Sequence, residues 1–245
     1  MAHIIKTKAF VLRTRPFKES SLFAVVLTRA HGKVDVLAKG CRRPKSTLCG
    51  TLEVFNLDEI IYYKRETKDV YTLSDATVID DFERIRSTPQ AVNAAMVLCE
   101  FFTKTLPSEE QNPRAYAMLH AFLNSLSTIE HTLVKPLTLY YLLKALSDAG
   151  VQPHLDSCVV CRRPIRSTVK KINFSLAAGG VVCERDFDDT VVYLDQETVI
   201  TLRHIYTRQD VDLRKMRFDE IEEILPDYLY QHLNNIVLHS LKHLS

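Results

Sequence analysis

Cys158-Val-Val-Cys161 and the later Cys183 are the residues of this chain best suited to holding a metal. A CxxC turn brings two thiolates onto one ion. A second CxxC would complete a four-thiolate site, but the corresponding stretch is Cys183-Glu-Arg-Asp186. Asp186 therefore stands at the fourth position, and an Asp oxygen can ligate zinc. His154, shortly before Cys158, is the alternative fourth ligand. Four protein ligands leave no open position for water, so zinc held here would be structural. The competing reading is a metal-free knuckle held by packing and local hydrogen bonds. A redox CxxC is disfavoured, because no strand precedes it as a thioredoxin-like pattern requires.

The second chemical feature is Leu37-Ala-Lys-Gly-Cys-Arg-Arg-Pro-Lys-Ser46. Lys39, Arg42, Arg43 and Lys45 are cationic, none of the ten is acidic, and Gly40 and Pro44 break regular structure. Such a loop can hold a phosphate backbone; a short charge run is also commonly just a solvated surface loop. Lys6, Lys8, Arg13, Arg15 and Lys33 are second-rank phosphate contacts. No G-x-x-x-x-G-K-[ST], G-x-G-x-x-G, H-E-x-x-H or G-x-S-x-G motif is present. Asp186, Asp188 and Asp189 could bind a divalent cation as nucleases do, although an acidic surface loop explains them as well. Glu220, Glu222 and Glu223 read as an exposed helix start. His239 and His243 share a spacing of i, i+4 on an expected terminal helix.

The 245 residues allow one large domain or two modest ones. Net charge is only +2, yet residues 1–80 carry 14 Lys/Arg against 9 Asp/Glu, whereas residues 151–245 carry 12 against 14. The asymmetry favours a polyanionic partner for the N-terminal part. No apolar run approaches the roughly 18 residues of a membrane span, and the first residues lack the pattern of a signal peptide. A cytoplasmic protein with reduced or metal-bound cysteines is expected.

These features must be positioned by two kinds of element. Lys8–Arg13, Leu22–Leu27, Lys33–Leu37, Thr51–Tyr63 and Val70–Leu73 are rich in β-branched and aromatic residues and predict strands. Ala30-His-Gly-Lys33 predicts a hairpin turn. Five short strands suggest a small barrel of the OB or SH3-like kind. From Ser87 onward the apolar spacing is helical. Thr88-Pro89 and Asn112-Pro113 read as N-caps followed by proline. Helices are expected over Ala91–Leu106, from Asn112 to about Leu126, over Leu137–Ala149 with Gly150 as the stop, over Gln196–Tyr206, and over Asp227–Leu244. The expectation is an α+β chain: residues 1–80 a barrel, and residues 85–245 a helical domain interrupted at about 151–194 by an irregular, Cys-bearing insertion. Of the other cysteines, Cys99 is expected in the core, with Cys41 and Cys49 partly exposed.

The order of these landmarks resembles the RecO family of DNA repair proteins. Thr7-Lys-Ala-Phe-Val-Leu-Arg13 and Glu19-Ser-Ser-Leu22 are similar to that family's first hairpin. Ala38–Ser46 is similar to its basic segment. Leu137-Thr-Leu-Tyr-Tyr-Leu-Leu-Lys144, Gly150-Val-Gln-Pro153 and the cysteines follow in the same order. The resemblance implies an N-terminal OB-fold barrel, an α-helical domain and a zinc-ribbon-like insertion, and a mediator that is not an enzyme. It implies binding of single- and double-stranded DNA, annealing of complementary strands and, with RecR, loading of RecA onto strands coated by single-strand-binding protein, whose C-terminal tail is contacted. Arg114, Lys135 and Lys144 are cations that could rim a pocket for that acidic tail. Asp186 in place of the usual fourth Cys is a departure that bears on the zinc. Two other classes compete: a protein-interaction scaffold with little DNA affinity, and a metal-dependent nuclease. No membrane or small-molecule ligand is expected.

Overall fold

A computed structural model of the chain describes residues 3–44, 46–48, 50–65, 68–165, 170–207 and 211–244. Lys45 and Cys49 lie outside the described residues. The chain divides into two compact units, residues 1–129 with 243–245, and residues 130–242.

In the first unit, strands β1 (His3–Phe17), β2 (Ser21–Thr28), β3 (Gly32–Ala38), β4 (Leu57–Lys64) and β5 (Val70–Asp80) pair in the order β1-β2-β3-β5-β4. β1 pairs with both β2 and β4, which closes the sheet into a barrel. All pairs are antiparallel except β3 with β5. Strict alternation on β3 (Val34, Val36 and Ala38 buried, Lys33, Asp35 and Leu37 half-buried) sends small and branched side chains inward. The expected strand over Thr51–Tyr63 begins only at Leu57. Leu52 and Phe55 adopt left-handed backbone (φ 59° each), which cannot continue a ladder. Phe55 and Asn56 instead exchange backbone hydrogen bonds with Val11.

Helices α1 (Glu83–Arg86), α2 (Pro89–Thr105) and α3 (Pro113–Leu126) follow. The Thr88 hydroxyl accepts from Ala91 N–H and Asn112 Oδ1 from Ala115 N–H, each ahead of a proline in the first turn. The change from strand to helix falls near residue 82, but the packing boundary falls later. α2 packs on β1, and Phe10 packs against Tyr116 and His120 of α3, so these two helices belong with the barrel. The last turn of α2 and the segment after it are tied to the barrel. Lys33 Nζ donates to Thr103 O at 2.7 Å, Glu109 N–H donates to Lys33 O, and Glu109 takes a 2.5 Å salt bridge from Lys64 and a hydrogen bond from Tyr71 Oη. Those donors hold the Glu109 carboxyl below its usual pKa. Gly32 is required here: a Cβ would come within 1.9 Å of Glu110 O.

The second unit contains α4 (Val134–Asp148), a three-stranded sheet of β6 (Lys171–Ser175), β7 (Gly180–Val181) and β8 (Val191–Asp195) in the order β7-β6-β8, then α5 (Gln196–Thr207) and α6 (Asp219–His232). The helix expected over Asp227–Leu244 starts earlier and stops at His232. Asn234 and Asn235 take positive φ, and only a 3-10 turn follows at Ser240–His243. His239 and His243 therefore do not share a helix face. Glu220 is not simply exposed either; it accepts from Thr198, Lys171 and the Asp195 N–H.

Candidate nucleic-acid interface and metal centre

A β-bulge decides where two of the cations point. Along β1, Phe10 pairs with Leu27 and Val11 with Val26, and the register then slips so that Arg13 pairs with Val25 and Arg15 with Phe23. Without the extra residue, Arg13 would pair with Ala24 and enter the barrel core. With it, Arg13 and Arg15 stand outside. They line a groove of about 450 Å3 across β1–β3 together with Phe23, Val25, Lys33, Asp35, Thr103 and Ser108. The Arg15 guanidinium lies over the Phe23 ring. Burial pushes the Asp35 carboxyl up and the Lys33 ammonium down, and Asp35 is partly stabilised by Lys33 and Arg15. Asp35 thus offsets part of the groove's positive charge, and the Lys33 ammonium is already committed to Thr103.

The basic loop continues from the same strand. Lys39 follows Asp35 and Leu37 in the outward phase of β3 and is exposed. The loop is anchored rather than loose. Gly40 has φ 69°, Arg43 N–H donates to Gly40 O at 3.0 Å, and Arg42 N–H donates to Ser20 O at 2.9 Å. Cys41 is 5 % exposed, joins the barrel core and donates to Leu48 O. The expectation of a partly exposed Cys41 is therefore corrected: its apolar thiol plugs the barrel end. Arg42 and Arg43 follow this plug with exposed side chains, and among the described residues neither they nor Lys39 form a salt bridge.

The structure separates the remaining candidates. Lys6 is paired with Glu59 at 2.8 Å, and both Lys6 and Lys8 lie on the half of β1 that pairs with β4. Phe10, Phe55, Tyr62 and Tyr71 are core residues; Phe23 is the aromatic in the groove. Arg114 belongs to the first unit and Lys135 and Lys144 to the second, where Lys135 binds Glu222.

In the second unit two tight turns bring the cysteines together. Arg162 N–H donates to Cys158 O, Cys158 N–H to Arg163 O, and Asp186 N–H to Cys183 O. β6 and β7 hold the turns in place, and Gly180 admits the backbone of His154, whose oxygen a Cβ would meet at 2.3 Å. The ligand atoms of Cys158, Cys161, Cys183 and Asp186 all lie within 4.8 Å of one another. Cys161 Sγ and Cys183 Sγ are 3.7 Å apart, matching the about 3.8 Å edge that Zn–S bonds of about 2.3 Å require in a tetrahedron. Asp186 Oδ2 accepts from Cys158 at 3.2 Å and from Cys183 at 3.0 Å. The thiols around it hold the Asp186 carboxyl down at about 2, and that carboxylate pushes the Cys161 thiol up to about 12. Burial opposes ionisation of Cys158, but the N–H groups of Cys161, Cys183 and Val160 outweigh it and lower its pKa. Three sulfurs and one oxygen at these separations suit a tetrahedral ion. His154 is not part of the cluster; its Nε2 is 2.8 Å from Ser157 Oγ.

The same geometry breaks up the acidic triplet. Asp186 faces the thiols, whereas Asp188 accepts from the Ser175 hydroxyl and from Thr190 N–H and Oγ1. Those bonds lower the Asp188 pKa. Among the described residues Asp186 groups with the three cysteines, and Asp186, Asp188 and Asp189 form no cluster of their own that could hold a metal ion. The bulge puts Arg13 and Arg15, second-rank phosphate contacts by sequence, in the same groove as Phe23. The available signal was the run Ala9–Leu12, apolar throughout, followed by alternation from Arg13.

Two family models match the chain: "Recombination protein O N terminal" over residues 1–82 and "Recombination protein O C terminal" over residues 86–242. Proteins named "DNA repair protein RecO" are similar along most of it. The one from Alkaliphilus metalliredigens is 25 % identical over 98 % of both chains. The one from Bifidobacterium adolescentis is 34 % identical over 75 % of this chain and 74 % of its own. By both measures the chain belongs to the RecO family of DNA repair and recombination proteins.

Proposed function

We propose that this protein is a recombination mediator that binds single- and double-stranded DNA through its barrel and anneals complementary strands. With RecR it helps load RecA onto strands coated by single-strand-binding protein, whose C-terminal tail it contacts. It works in the cytoplasm, associated with the nucleoid, and performs no catalysis. The barrel is read as an OB fold, since five strands in the order β1-β2-β3-β5-β4 agree with that architecture.

The observation that carries this reading is the continuous outer face of β1–β3. Arg13, Arg15 and Phe23 line its groove, and the anchored loop with Lys39, Arg42 and Arg43 extends it. Two phosphate backbones repel one another. A cationic face that binds them releases condensed counterions, which lowers the cost of bringing complementary strands together. An aromatic on that face adds stacking that tolerates any base. No array of polar groups for base readout accompanies the cations, so sequence-tolerant binding is expected.

A structural zinc ion is part of the reading. The thiolates of Cys158, Cys161 and Cys183 and the Asp186 carboxylate would hold it and staple the two turns of the second unit. No helix among the described residues is long and apolar enough to cross a membrane.

Annealing of complementary oligonucleotides, with and without single-strand-binding protein, tests the proposal. The protein should accelerate annealing in both cases, with an effect that falls steeply as salt rises. An unchanged annealing rate at low salt would refute it.

A further inference from the structure

The three cysteines of the cluster differ in how solvent reaches them. Cys161 is exposed and Cys183 half-buried, whereas Cys158 is fully buried. The Sγ atoms of Cys161 and Cys183 lie 3.7 Å apart. These two residues belong to separate surface turns, one closed by Arg162 N–H on Cys158 O and the other by Asp186 N–H on Cys183 O. From that separation, an S–S bond of about 2.05 Å requires a closure of about 1.7 Å. Side-chain rotation and small shifts of the two turns supply it. The fourth member of the cluster, Asp186, offers an oxygen that cannot be oxidised in this way.

We infer that the cluster is a peroxide-sensitive switch, in which oxidation joins Cys161 to Cys183 and strips the site of zinc, and thiols restore it. The inference rests on the zinc reading above and is independent of the DNA-binding one. Sulfurs that hold zinc are thiolates. The Cys161 thiolate attacks one oxygen of hydrogen peroxide, the O–O bond breaks, hydroxide leaves, and Cys161 becomes a sulfenic acid. The Cys183 thiolate then attacks that sulfur, the S–S bond forms and a second hydroxide leaves. Two protons from solvent convert both hydroxides to water. Two thiolates have then lost the two electrons that the peroxide gained. Only Cys158 and Asp186 remain as donors, whereas a structural zinc site uses four. Losing the ion loosens the turns it staples, because metal binding contributes folding free energy. Asp186 also limits the response. Cys158 is left buried with no fourth thiol to pair with, and Cys41 and Cys99, both buried, belong to the first unit. Oxidation therefore stops at a single disulfide, which a small thiol reopens by exchange.

The test uses full-length protein loaded with zinc, its metal content measured first. It is treated with hydrogen peroxide, free thiols are blocked with iodoacetamide under denaturing conditions, and tryptic peptides are weighed. Trypsin cuts after Arg162 and Arg185, so Cys158 and Cys161 share one peptide and Cys183 lies in another. Expected are these two peptides joined, with Cys158 alkylated, and about one zinc released per disulfide. Dithiothreitol followed by fresh zinc should restore the starting state. A Cys158–Cys161 loop, sulfinic acid without a disulfide, or zinc retained after peroxide would overturn the inference and leave the zinc reading standing. Protein that takes up no zinc before oxidation would remove both. Asp186→Cys should go on to a second disulfide and lose all four thiols of the cluster; a variant that stops at one would overturn the limiting role given to Asp186. The peptide map of the wild type decides the pairing even if that variant does not fold.

Discussion

The Arg15 guanidinium lies 4.5 Å from the centroid of the Phe23 ring, and the two residues are cross-strand partners on β1 and β2. One contact therefore sets a fixed cation and an apolar face side by side in the groove. The two should fail differently. Phe23→Ala should weaken binding to single-stranded DNA by about tenfold while leaving the dependence on salt unchanged, because stacking releases no counterions. Arg15→Ala should reduce the slope of log affinity against log salt by about 0.7, the contribution of one phosphate contact on a single strand. Oligonucleotide titrations across a range of KCl separate these effects. A slope change in the Phe23 variant and none in the Arg15 variant would contradict the assignment.

The basic loop makes a parallel prediction. Arg42 and Arg43 have exposed side chains beside the buried Cys41, whereas Lys6 is already paired with Glu59. Arg42→Ala/Arg43→Ala should lower the salt slope by about 1.4 for single strands, two contacts' worth. Lys6→Ala/Lys8→Ala should change it little. The same titrations read both variants, and equal losses would mean that charge acts at a distance rather than through the loop.

Much of this was legible in the residues, for identifiable reasons. Thr88-Pro89 and Asn112-Pro113 gave the two helix starts because capping is local chemistry, and the hydroxyl and amide bonds are where the sequence places them. The pairing of CxxC with Cys183 and Asp186 was readable because two tight turns suffice to build it. Long-range packing was not readable. Nothing local shows that α2 and α3 belong with the barrel, since that depends on Phe10 meeting Tyr116. The bulge at Leu12 is not legible, because one extra residue changes facing without changing composition. The apolar spacing of residues 233–244 suggested a helix, but two left-handed asparagines end it.

The cluster of three thiols and Asp186 predicts about one tightly bound zinc per chain when the protein is purified without chelator. Asp186→Ala should lower zinc content and the unfolding temperature together, whereas Asp186→Cys should keep both by restoring a fourth thiolate. Chelation of the wild type should reproduce the Asp186→Ala behaviour. Metal analysis with thermal unfolding checks this. A wild type that loses no stability on chelation would show that packing and hydrogen bonds alone hold the turns.

Asp58 sits fully buried in the barrel wall, and its Oδ2 accepts from Leu52 N–H at 3.0 Å. Burial pushes its carboxyl from the ordinary 3.8 up to about 6; the Leu52 N–H opposes the rise and the charge of Glu53 adds to it. Here the folded state holds the proton more tightly than the unfolded chain. Between about pH 4 and pH 6 the native protein therefore binds more protons, and this group's contribution to stability falls as pH rises through that window. Above pH 6 the cost is complete, on the order of 3 kcal/mol for a shift of this size. Asp58→Asn keeps an acceptor for Leu52 and removes the ionisation. Carboxylates with lowered pKa, such as Glu109 and Glu220, contribute in the opposite sense, so the informative quantity is the difference between the two proteins. Urea midpoints measured from pH 4 to pH 7 should show the variant gaining on the wild type up to about pH 6 and holding its advantage beyond. A difference that stays flat across that range would mean that Asp58 titrates near its ordinary value despite its burial.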